Sequence, residues 1–85
     1  MPENNEKRIA VLSIILENRA EAAKLNALLS EFGEYIVGRM GIPYREKGVS
    51  VVCVVMDAET TVINALTGKI GQLSGVSAKT LFSKY

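Results

Sequence analysis

The chain has 85 residues, 48% of them hydrophobic, and a formal net charge of +1. Its one cysteine, Cys53, excludes an internal disulfide and a cysteine-ligated iron–sulfur or zinc site within a single chain, and the lack of histidine removes the commonest transition-metal ligand and the usual general base. The balanced charge gives no global pull toward nucleic acid or an anionic membrane.

A chain of this length suits one domain and buries only about 60–65% of its unfolded surface, so its own core is thin. With disulfide and metal excluded, oligomerisation is the expected compensation. No apolar run reaches the roughly 18–20 residues that span a bilayer, and the opening MPENNEK lacks the apolar core of a signal peptide. Cytoplasmic residence is expected, and a lone cysteine among valines suits a reducing compartment.

Residues 1–7 read as a flexible polar tail and residues 8–85 as the single domain. Ile9 to Leu16 is an apolar, β-branched run of strand length. Asn18 with Glu21 resembles a capping box, and Ala22, Leu25, Leu29 and Phe32 follow at helical spacing. Gly33 suits the left-handed position that ends this helix. Glu34 to Arg39 reads as a second strand, and the segment GRMGIPYREKG, Gly38 to Gly48, as a long connector. A third strand runs from Val49 to Met56. Asp57 is placed to cap a second helix with Val62, Ile63, Leu66 and Ile70 on its apolar side. GQLSG makes a loop, and Val76 to Ser83 the last strand.

The order β-α-β-β-α-β points to an α+β, ferredoxin-like sandwich: a sheet of antiparallel type with both helices on one face. Strands one and three, the most apolar, are expected in the centre. The polar-decorated strands two and four are expected at the edges. The other sheet face should be polar in a monomer. Here one parity of the central strands holds Ile9, Val11, Ile15, Val49, Val51 and Val55, the other Leu12, Ile14, Leu16, Val52, Val54 and Met56. Whichever set meets the helices, the other leaves six large apolar side chains to cover. That amounts to on the order of 10 kcal/mol as an upper figure. A homo-oligomer, dimer or tetramer, packed through this face is therefore expected.

The connector supplies the candidate site. Gly41 and Pro43 are turn formers, Arg39 and Arg45 can hold a carboxylate or phosphate, and Tyr44 offers a flat face with a hydroxyl. Such a set suits a small anionic ligand or a neighbouring subunit, with Lys69, Ser77 and Lys79 as supporting contacts from the same or another chain. The Gly68–Gly71 segment fails as a phosphate-binding loop, since its glycines close a helix instead of opening one. Cys53 reads as a buried structural thiol, and the nine carboxylates as surface charges and caps. No nucleophile motif, base or metal-ligand cluster is visible, so no catalytic residue, cofactor or enzymatic activity is expected.

RIAVLSIILEN, YIVGRMGIPYREKGVSVVCVVMDA and ALTGKIGQLSGVSAKTLFSKY together resemble the small iron-only hydrogenase system regulators of anaerobic bacteria, from about Arg8 to the C-terminus. The resemblance implies a ferredoxin-like domain related to ACT regulatory modules and to the sensing domain of nickel-responsive repressors. Those repressors hold metal through histidines, absent here, so no metal ligand carries over. The short segment before the first strand also leaves no room for their DNA-binding unit, so direct nucleic-acid binding is not expected. ACT modules commonly bind amino acids at subunit interfaces, and the loops around Gly38–Gly48 and Gly68–Ser77 are the counterparts by position. The expected function is a homo-oligomeric sensing module of the hydrogenase system that binds a small anionic ligand, an amino acid or a hydrogenase-system protein. The alternative is a ligand-free structural or assembly accessory.

Overall fold

The computed structural model describes residues 6–85 of the chain. Its elements are β1 (Lys7–Leu16), α1 (Ala22–Glu31), β2 (Ile36–Tyr44), β3 (Val49–Glu59), α2 (Thr60–Gly71) and β4 (Val76–Phe82). The four strands form one sheet in the order β2-β3-β1-β4, all neighbours antiparallel. This is the expected ferredoxin-like, ACT-like βαββαβ arrangement, with β1 and β3 in the centre. No helix of the described residues is long and apolar enough to cross a membrane. Of the expected tail, residues 1–5 lie outside the described residues, and Lys7 already belongs to β1.

Period-two alternation decides which side chains are inside. Ala10, Leu12, Ile14 and Leu16 of β1 and Val52, Val54, Met56 and Ala58 of β3 are buried toward the helices. They meet Leu25, Leu29 and Phe32 from the α1 side and Ile63, Leu66 and Ile70 of α2, forming a single core. α2 lies against β4, β3 and β1, while the closest helix packing of α1 is against α2. α2 is also tied to β4 by hydroxyls. Thr67 Oγ1 donates to the Ile63 carbonyl at 2.9 Å, which leaves the Thr80 hydroxyl to donate to Thr67 at 2.9 Å.

Several local expectations are corrected. Asn18 does cap, but it caps a 3-10 turn, Arg19–Glu21, by accepting the Ala20 N–H at 3.1 Å. Glu21 does not reach back to complete a capping box, because its carboxylate is half of a tertiary contact: the Ser74 N–H donates to it at 3.1 Å. Gly33 is not left-handed, since among the described residues only Gly48 and Gly75 have positive φ. The chain leaves α1 instead through a 3-10 turn, Gly33–Tyr35, in which the Tyr35 N–H donates to the Phe32 carbonyl at 3.0 Å, without a left-handed residue. Asp57 lies within β3, opposite Ile9, and Glu59 precedes α2 without a side-chain cap.

The largest correction concerns the connector. Gly38 to Tyr44 are not loop but strand, paired with β3 from Gly38 opposite Val55 to Tyr44 opposite Val49, with a bulge between Ile36 and Gly38. The turn itself is short: a 3-10 turn over Arg45–Lys47 closed by left-handed Gly48. Pro43 is tolerated because β2 is an edge strand, where a missing N–H directed away from the sheet costs no ladder bond.

Candidate functional site

Two surfaces stand out, on opposite faces of the sheet. The first is the face away from the helices. Three rows cross all four strands there: Gly38, Val55, Val11 and Leu81; then Met40, Cys53, Ser13 and Lys79; then Ile42, Val51, Ile15 and Ser77. Tyr44 and Val49 extend it toward the hairpin tip. Met40 is 59% exposed and Leu81 72%, and Ile15, Ile42, Tyr44 and Val51 are exposed as well. The face is apolar as the central-strand alternation predicts, and β2 widens it with Met40, Ile42 and Tyr44. Cys53 is half-buried in its middle row and carries no disulfide.

The second surface is a groove on the helix side, between α1 and β2. It forms because β2 extends past the helix layer, with its residues beyond Ile36 exposed. Its inner part is a cavity of about 250 Å³ lined by Leu16, Ala22, Leu25, Asn26, Gly41, Ile42, Pro43, Ser50 and Val52. Its outer part, about 610 Å³, shares Leu16, Ala22, Pro43 and Ser50 and adds Arg19 and Arg45. One end is therefore mainly apolar and uncharged and the other basic. Among the described residues no ion pair engages Arg19 or Arg45. Arg39 Nη2 donates to Asn26 Oδ1 at 3.0 Å, joining the middle of β2 to α1.

Local folding explains each position. β1 ends at Leu16, the Asn18 cap turns the chain, and Arg19 opens the 3-10 turn that leads into α1. The β2–β3 hairpin tip, with Arg45, sits at the same end of the sheet, since Leu16 pairs with Ser50 and Pro43 also faces Ser50. Gly41 faces Val52 in the ladder and shares its helix-side parity. A Cβ built on Gly41 would meet nothing within 4 Å, and its φ is not positive. The glycine is not required by backbone conformation; it leaves the groove open.

The nominated residues thus divide among three places. Gly41, Pro43 and Arg45 line the groove, with Arg39 beside them on Asn26. Tyr44 belongs to the opposite, open face. Lys69 lies on the outside of the helices, 3.4 Å from Glu31 and with its ammonium 5.4 Å from the Phe32 ring centroid. Ser77 and Lys79 share the open face with Tyr44, on β4 beside Ile15 and Ser13. Arg19 was missed by sequence reasoning. Its signal was topological: in this fold the end of β1 and the β2–β3 turn share one end of the sheet. No group of three His, Cys, Asp or Glu side chains is placed to hold a metal ion among the described residues. The groove has the chemistry of binding: an apolar wall with fixed cations at its mouth.

A family model described as "TM1266-like: Iron-only hydrogenase system regulator, putative" matches residues 8–80. Among solved structures, the uncharacterized protein TM1266 from Thermotoga maritima is 41% identical over 93% of this chain and 100% of its own, with a TM-score of 0.88. A formyltetrahydrofolate deformylase from Pseudomonas putida KT2440 is similar at a TM-score of 0.64 and 13% identity, over 91% of this chain and 30% of that one. The deformylase likeness carries the fold alone. No curated protein matches this chain significantly.

Proposed function

The chain belongs to the TM1266-like family, and from that premise we propose that it is a regulatory module of the iron-only hydrogenase system, working by self-association and by binding a small ligand. It is a sensing domain and not an enzyme in this reading. Two copies pack through their open sheet faces, and the groove between α1 and β2 holds the ligand. A ligand of this kind signals only by binding one assembly state better than another.

The observation that carries the reading is the open sheet face. Apolar side chains of β2, β3 and β1 (Met40, Ile42, Val51, Val55, Val11 and Ile15) spread across it and reach Leu81 of β4, with Ser13, Ser77 and Lys79 among them, and a monomer would leave them facing water. A second copy of the same face supplies what a chain of 85 residues cannot supply alone, the other half of a core. Sedimentation velocity at micromolar concentration tests this directly. The intact chain is expected to sediment as a dimer or larger, and Ile15→Glu as a monomer. An intact chain that stays monomeric over that range would sink the proposal.

A further inference from the structure

We propose that the groove between α1 and β2 is selective for a small oxyanion with an aliphatic body and no ammonium group. Its head lies between Arg19 and Arg45, and its body lies over Gly41. The inference rests on the ligand-binding reading above and names the ligand class for that site.

Three observations converge on it. The lining of the groove is charged at one end only: Arg19 and Arg45 line the outer part, while the inner part is walled mainly by apolar residues such as Leu25 and Val52, with Asn26 and Ser50 its polar members. Two guanidinium groups at the mouth of an apolar cleft match an oxyanion that carries an apolar extension. Second, neither part is lined by Asp or Glu, and the Asn26 carbonyl oxygen already accepts from Arg39. An ammonium group would find no carboxylate there and would sit near fixed cations, which disfavours a zwitterion such as an α-amino acid. Third, Gly41 lines the inner space without a side chain to fill it. Its Cβ position is open, and nothing in the backbone demands glycine there. Any branched side chain at that point would occupy the space that the ligand body needs.

Titration calorimetry on the intact chain tests the class with hexanoate as probe. Its comparators are norleucine (the same body with an ammonium), hexanol (the same body without charge) and inorganic phosphate (charge without a body). Hexanoate is expected to bind about tenfold or more tighter than each comparator. Affinity is expected to rise about three- to fourfold per methylene from butanoate toward hexanoate. Arg19→Ala and Arg45→Ala should each weaken hexanoate about tenfold. Gly41→Val should abolish binding while leaving the melting temperature equal or higher, so that lost binding is not lost folding. Norleucine or hexanol binding as tightly as hexanoate, or hexanoate binding that Gly41→Val leaves intact, would overturn the assignment. A broad metabolite screen separates the two levels. A different ligand blocked by Gly41→Val overturns the class and leaves the ligand-binding reading standing. No ligand at all, with the assembly intact, overturns both.

Discussion

Gly75 lies directly against Asn18: a Cβ on Gly75 would come within 2.6 Å of the Asn18 Cβ and 3.3 Å of its backbone nitrogen. Around this contact the corner between β1 and α1 is fastened to the loop before β4. The Glu17 N–H donates to the Gly75 carbonyl at 2.7 Å, and the Ser74 N–H donates to Glu21. The corner that positions Arg19 is thereby tied to the core through β4.

Gly75→Ala should accordingly be costly on two grounds, a φ of 69° and a clash with atoms of the neighbouring strand corner. We expect a loss of about 3 kcal/mol or more in urea unfolding. Gly48 has a similar φ of 67° but open space around it, so Gly48→Ala should cost only about 1 kcal/mol. Gly33→Ala, at a glycine with neither constraint, should be neutral or slightly stabilising.

Glu21 is a buried carboxylate with two partners, the Ser74 N–H and Lys24, whose Nζ lies 3.3 Å away. Glu21→Ala leaves the Ser74 N–H without its acceptor, and denaturation should show a loss of about 1–3 kcal/mol. Glu21→Gln keeps a carbonyl acceptor and should lose less. Lys24→Ala, removing an exposed partner, should cost about 0.5 kcal/mol or less.

Lys69 is held by Glu31, exposed at the end of α1, and lies over the ring of the core residue Phe32. Lys69→Ala should destabilise by about 0.5–1 kcal/mol in thermal unfolding. It should leave hexanoate affinity unchanged, because the residue is remote from the groove. A loss of affinity would move the ligand away from α1 and β2.

Gly41→Val should raise stability by roughly 0.5–1 kcal/mol, since it replaces the most flexible residue in an edge strand by a β-branched one with space to occupy. A gain in midpoint with an unchanged denaturant slope would confirm it.

Ile15→Glu places a charge in the centre of the open face, between Val51 and Ser77 in the ladder. The intact chain should show a melting temperature that rises with concentration, as an assembly does. The variant should melt lower and independently of concentration. A concentration-independent intact chain would contradict the proposed pairing.

The reach of the sequence can be judged element by element. The apolar alternation of β1 and β3 placed Leu12, Ile14, Val52, Val54 and Met56 on one face and Val11, Ile15, Val51 and Val55 on the other, and the structure keeps that division. It could not say which set met the helices, because both are equally apolar. β2 was read too short. Its glycines and proline carry turn signals, and only its position at the edge, beside β3, makes a strand of them. Glu21 was read as a local cap, whereas its partner Ser74 lies 53 residues on.

The candidate site shows the same division. Arg39, Gly41, Pro43 and Arg45 were legible as a cluster because they are neighbours in the chain. Tyr44 was grouped with them for the same reason, but adjacent strand residues point to opposite faces, so it belongs to the other surface. Arg19 and Leu25 joined the site only when the sheet brought the end of β1 beside the hairpin. By itself the sequence determined the order of elements and the two apolar faces, since these follow from the short periods of strands and helices. The tertiary structure alone decided which residues share a groove and which glycine is strained, because those depend on contacts between segments that no local pattern records.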